Sequence, residues 1–361
     1  MKPPRGDCRA PASAIARVET STFSLYYASM HPTIAERIPK AEAKALYRRL
    51  IKLALPIMAG NFLHTLYNMA DTYFLGKLGK EAVSAPSIAF NIVMLLTVLG
   101  SSFGSAGMTL MAQAKGKGEH DKVNFYLGQT AGLTMSLGII LMIIGFSFSA
   151  PLLSLLKVPS DVYGPTYTYM RICMAEIPLM FISFTLSAAL QAVGDSITPF
   201  KIQLVTVILN VVLDPILIFG LGPIPAMGVA GAAIATVASR AVAAGIALYI
   251  LFSGKRGPKL TFASMKLQRE PVLLLAKVGL PSSFGQALST LGFTVMQGAV
   301  NAFGSAVIAA FGIGNRIIGL FNMPAMGFSQ ATATLVGQSL GAKDVPRAKL
   351  VVRQSLITIG I

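Results

Sequence analysis

Tryptophan is absent from this chain of 361 residues, cysteine occurs twice and histidine three times. Cys8 and Cys173 stand in unlike segments, which excludes a disulfide framework or a thiolate metal spacing. His31, His64 and His120 are too few and too scattered for a histidine-rich metal site. Charge is scarce as well: 12% of the residues are Asp, Glu, Lys or Arg, about half the share usual in soluble domains. There is no HExxH, no Walker loop, no GxSxG and no Cys/His cluster, and "GKGEH" at 116–120 lacks P-loop spacing. No enzyme activity and no cofactor are therefore expected. Without an ATP site, any transport would have to run on an ion gradient.

What is abundant is apolar surface, with 54% hydrophobic residues and a mean hydropathy of +0.66. That excludes disorder for most of the chain and marks an integral membrane protein. Residues 1–49 hold no apolar stretch able to span, and no apolar core of a secretory signal. They read as a basic, poorly ordered cytoplasmic tail, with Lys40 to Lys52 as a basic amphipathic run on the membrane surface. Apolar segments then recur near 51–76, 84–111, 125–148, 166–192, 199–221, 227–252, 272–299 and 306–334, and a ninth begins near 351. Each provides the ~20 helical residues that cross a ~30 Å core. They are too long for barrel strands, so the fold class is an all-α membrane protein. With no Trp, the ten Tyr have to supply the interfacial aromatics.

The net charge of +16 invites a nucleic-acid reading, which its distribution removes. The N-terminal stretch through Lys52 and the alternate connections at 112–124, 193–201, 253–277 and 335–353 together hold 24 of the 30 Lys and Arg. The opposite connections hold Lys77, Lys80 and Lys157, and Arg171, Arg240 and Arg316 fall within spans. This asymmetry predicts a cytoplasmic N-terminus in a multi-pass protein. No nucleic-acid partner is expected.

The chain also repeats itself. "KLALPIMAGNFLHTL" from Lys52 aligns without gaps on "KVGLPSSFGQALSTL" from Lys277, a shift of 225 residues that also carries Gln113 onto Gln338, Gly116 onto Gly341 and Gln129 onto Gln354. Six spans lie within one shift, so the two copies share an orientation. Parallel repeats of this kind imply two lobes about an axis along the membrane normal, with a cavity between them. The N-lobe is expected over 50–253 and a partial C-lobe over 254–361. A second full copy would reach about residue 477, so the second bundle is expected to be incomplete in this chain.

Ionisable residues within spans are costly and mark pathways. Asp71 on the first span and Asp214 on the fifth lie ~8 and ~10 Å below the same outer boundary at 1.5 Å per residue. Asn210 is one turn inward of Asp214 on the same face. Such a group can exchange H⁺ or hold Na⁺ among oxygen ligands; alternatively each Asp caps a broken helix or pairs with an internal Arg, and Asp214-Pro215 resembles a helix interruption. Tyr67 and His64 lie one and two turns inward of Asp71, placed for a relay, though a lone His is more often a packing residue. Pro56 can kink the helix that carries Asp71, as Pro281 can in the second copy. Arg240 reads as a packing or salt-bridging residue rather than a substrate contact, and Arg171 and Glu176 as interfacial. The 17 Met and 20 Phe suit adaptable apolar walls.

"ALPIMAGNFLHTLYNMADTYFLGKLG", "LNVVLDPILIFG" with "GVAGAAIATVASR", and "AAFGIGNRIIGLFNMPAMGFSQATATLVGQSLGA" resemble the multidrug and toxic compound extrusion (MATE) family. The resemblance covers residues 50–361 and implies two six-helix bundles that alternate between inward- and outward-facing states. It implies a secondary antiporter of the plasma membrane, exporting organic, cationic amphipathic compounds against H⁺ or Na⁺. By position, Asp71, Asn210 and Asp214 match the family's N-lobe ion site, Thr236 joins the same network, and Pro56 and Tyr67 match positions tied to helix bending. Members with a C-lobe cation site carry an acid in the seventh helix; residues 272–299 contain none, which favours the N-lobe site. Small-molecule substrates and membrane lipids are the expected partners, and a monomer the expected state. The rivals are a lipid-linked oligosaccharide flippase of the same superfamily and a non-transporting membrane subunit or fragment.

Overall fold

The structure is a computed structural model describing residues 39–155, 158, 160–221, 223–301 and 305–360. Its regular elements are all helices: α1 (Lys40–Gly76), α2 (Lys80–Gly116), α3 (His120–Leu155), α4 (Ser160–Met174), α5 (Glu176–Val193), α6 (Ile197–Phe219), α7 (Gly228–Ser253), α8 (Arg269–Asn301), α9 (Ser305–Gly341) and α10 (Val345–Ile359). Among the described residues six helices, α1, α3 and α5–α8, carry stretches long and apolar enough to cross a membrane. Their outward faces are apolar too, with Ile139, Ile140, Ile143 and Ile144 exposed on α3 and Ile208 and Val212 on α6. Exposed aliphatic rows of this kind belong against lipid.

Three local expectations are corrected. The run from Lys40 to Lys52 does not lie apart on a membrane surface. It forms the first turns of the 37-residue α1, because Leu46, Leu50 and Leu53 bury themselves against α9 and α10. The boundary at 49/50 is therefore no break in structure; the tail at 1–38 lies outside the described residues. Second, α6 continues through Pro215 to Phe219. Third, the fourth span is not a uniform helix: between α4 and α5, Ala175 keeps helical φ and ψ of −68° and −19°, but its N–H turns back to Ile172 O at 3.0 Å, a tightened turn. Pro178 has no N–H to offer the Met174 carbonyl, so one bond of the ladder is missing where α4 passes into α5.

The sequence repeat is also a repeat of packing. Phe103, Ala106 and Leu110 of α2 bury Leu275 of α8. Their mates 225 positions on, Phe328, Ala331 and Leu335 of α9, bury Leu50 of α1. The first helix of each repeat thus packs on the second helix of the other. The ends of α2 and α9 cross reciprocally: a Cβ on Gly116 would strike the Gln338 carbonyl oxygen, and one on Gly341 that of Gln113. Such mutual contacts define a pseudo-two-fold axis.

Two glutamines lock the same relation. Gln129 of α3 donates to Ser264 O at 2.9 Å and Lys266 O at 2.7 Å and accepts from Gln268 N at 2.8 Å. Gln354 of α10 donates to Ala43 O at 2.8 Å, and Ala43 is the repeat mate of Gln268. In each repeat, the third helix grips the lead-in to the other repeat's first helix. Gly128 lets segment 254–268 lie against α3, since a side chain there would meet Ser264.

Candidate functional site

On α1, His64, Tyr67, Asn68, Asp71 and Leu75 recur at helical spacing and turn one face toward a cavity of about 540 Å³. That volume lies within the range of small-molecule pockets. α2 contributes Val93 and Met94, the α4–α5 pair contributes Tyr169, Cys173, Glu176 and Met180, and α7 contributes Thr236 and Arg240. The cavity sits toward the α1–α2 turn. At the other end of α1, the turns around Pro56 pack on α9 through Ala54 and Ile57.

Asp71 also faces α6. Its carboxyl lies within hydrogen-bonding reach of that of Asp214, and Asn210 Nδ2 donates to Asp214 Oδ1 at 3.2 Å. Asn210 and Asp214 are fully buried. Three buried acceptors in this group, Asp71 Oδ1, Asp214 Oδ2 and Asn210 Oδ1, have no donor. Two ionised carboxylates cannot bond each other, because both only accept; one shared proton supplies a donor. A monovalent cation would satisfy the same oxygens, so the residues present fit either group.

Tyr67 is the next turn inward. Its hydroxyl donates to Thr236 Oγ1 at 2.8 Å, which ties α1 to α7, and its ring lies under the Arg240 guanidinium, 5.7 Å from the centroid. Arg240 forms an ion pair with Glu176, Nε to Oε1 at 3.3 Å. His64 is exposed to the cavity, 3.4 Å from Asn68 Nδ2 through Nδ1 and 6.1 Å from the Tyr67 ring between centroids. The polar groups thus run from α6 through α1 and α7 to α5.

Of the residues singled out in the sequence, Asp71, Asp214, Asn210, Tyr67, Thr236 and His64 come together here. Pro56 stands apart, about 22 Å along α1 from Asp71 at 1.5 Å per residue. Glu176 is not interfacial: it is buried, on the first turn of α5, and paired to Arg240. Arg171 does lie exposed, with Nη1 donating to Tyr167 OH at 3.3 Å. The side chain of Arg316 lies outside the described residues.

The MatE family model matches residues 56–216 and 281–361. The chain belongs to the MatE family. A Bacillus subtilis relative named "Probable multidrug resistance protein YoeA" is 30% identical over 90% of this chain and 70% of its own length. A Shewanella oneidensis protein named "FAD transporter" is 28% identical, over 86% of this chain and 68% of its own. A solved MOP-superfamily transporter from Pyrococcus furiosus superposes with a TM-score of 0.80 at 25% identity, covering 87% of this chain and 69% of that one. These relatives are named as transporters or resistance proteins, not enzymes. This MatE chain is a multi-pass membrane protein of a multidrug efflux transporter family whose members handle small molecules.

Proposed function

We propose that this MatE protein is a secondary antiporter that exports organic, cationic amphipathic compounds in exchange for H⁺ or Na⁺. The observation that carries the reading is the group of three donorless buried oxygens on Asp71, Asp214 and Asn210, of which Asp71 stands on α1, the helix that also walls the cavity. A shared proton answers the two carboxylate oxygens, and a sodium ion would answer all three. Asp71 belongs to both the ion group and the cavity wall, so occupancy of either site acts on the other through one rigid helix. Thr236 ties that helix to α7 through Tyr67, His64 lines the inward part of the wall, and Pro56 provides the hinge. Tyr67, Tyr169, Met94 and Met180 offer an adaptable aromatic and thioether surface for varied ligands. The protein acts as a monomer of the plasma membrane, and the Lys/Arg asymmetry supports a cytoplasmic N-terminus.

The test is efflux of a cationic dye from vesicles holding the full-length protein, under a proton gradient alone and then a sodium gradient alone. Efflux with one ion, lost in Asp71→Asn at equal insertion, is the expected result and names that ion. Asp71→Asn transport at the native rate, or no efflux with either gradient, refutes the reading.

A further inference from the structure

Ion coupling makes no use of Glu176 and Arg240, yet both line the cavity. Arg240 reaches from α7 so that its guanidinium has a carboxylate 3.3 Å away and stands over the Tyr67 ring, 5.7 Å from its centroid. A carboxylate together with an aromatic face is the environment that holds an organic cation. The grip is loose in one respect: the buried Arg240 Nε has no partner at hydrogen-bonding geometry. Of the receiving groups, Tyr67 is held by its bond to Thr236 and Glu176 is buried on the first turn of α5. The guanidinium ends a long rotatable chain that can swing into the adjoining space.

We propose that Arg240 is a tethered stand-in for the substrate's cationic group. Glu176 and the Tyr67 ring form the cation subsite, and an organic cation enters it by displacing the guanidinium. This rests on the reading that the cavity takes organic cations, and it names which groups receive the charge. The ligand class is a monovalent cation with delocalised or shielded charge and aryl or alkyl substituents. A guanidinium is weakly hydrated, and a ligand replacing it must leave water as easily. Asp71, engaged with Asp214 on the α6 side, is left to the coupling ion.

The test is equilibrium binding of radiolabelled tetraphenylphosphonium to the full-length protein in lipid nanodiscs, with triphenylphosphine oxide as the neutral probe. Arg240→Met and Arg240→Gln remove the tethered competitor and are expected to bind tetraphenylphosphonium about tenfold more tightly, ~1.4 kcal/mol. The neutral probe is expected to change less than about twofold, ~0.4 kcal/mol. Adding Glu176→Gln to either variant abolishes the gain. Unchanged or weaker binding in both Arg240 variants overturns the proposal, as does an equal gain for the neutral probe, which would reflect space rather than charge. Where Arg240→Met fails to fold, Arg240→Gln carries the comparison, and Glu176→Gln alone must weaken tetraphenylphosphonium binding; no weakening overturns the subsite. Native transport with unaltered variant affinities refutes the subsite and not the antiporter. The expected binding pattern without transport under either gradient does the reverse.

Discussion

Replacing Gly116 with Ala tests whether the crossing of α2 and α9 closes one end of the helix bundle. Two effects oppose each other. Alanine is favoured over glycine in mid-helix by roughly 0.5–1 kcal/mol, and by less at Gly116, the last residue of α2, a gain that would stabilise the helix end. Against this, the new Cβ would strike the backbone carbonyl oxygen of Gln338, an atom that cannot rotate away. Overpacking of this kind costs about 1–3 kcal/mol, so the clash wins and the helices move apart. The net loss of about 1–2 kcal/mol changes the ratio of crossed to separated forms by roughly 5–30-fold. Gly341→Ala meets the Gln113 carbonyl across the pseudo-two-fold and should act alike. The double variant should cost less than the two singles summed, because one separation relieves both contacts. The assay is pulsed electron resonance between spin labels at exposed Lys117→Cys and Lys343→Cys, in a background lacking Cys8 and Cys173. Native protein should give one short distance, and Gly116→Ala a second, longer population. An unchanged distance distribution, or a raised melting temperature, refutes the reasoning.

Gln129→Ala loses three hydrogen bonds to segment 264–268 and should cost about 1–3 kcal/mol at roughly 1 per bond. Faster tryptic cleavage at Lys259 and Lys266 and a lower melting temperature would report it. Gln354→Ala loses the bond to Ala43 and should cost about a third as much; an equal or larger effect would contradict the account. Tyr67→Phe removes the 2.8 Å bond to Thr236 while keeping the ring under Arg240. It should lower stability by about 1 kcal/mol and leave tetraphenylphosphonium affinity within about twofold, ~0.4 kcal/mol. Loss of that affinity would show that the hydroxyl, not the ring face, carries the contact.

Membrane class, the positions of the helices and the 225-residue repeat were legible in the sequence because each depends on composition or on a constant offset along one chain. Asp71, Asn210 and Asp214 were legible for a related reason: a polar side chain in an apolar helix is conspicuous, and helical spacing fixes its face and depth. The partners of Glu176 and Arg240 were not. Both residues stood out as charges within spans, but their meeting depends on how α5 and α7 are rotated and set against each other, which brings two cavity-lining side chains into an ion pair. The glutamine clamps were likewise visible only as a repeated letter, since their hydrogen bonds go to backbone more than 100 residues away. The run from Lys40 to Lys52 shows the same limit. Its basic pattern suits a membrane surface, and only the apolar faces of α9 and α10 turn it into the start of a long helix. Periodicity along the chain states which face of a helix is apolar or polar; what that face meets is decided by packing between helices, where contacts depend on rotation and translation that no single helix encodes.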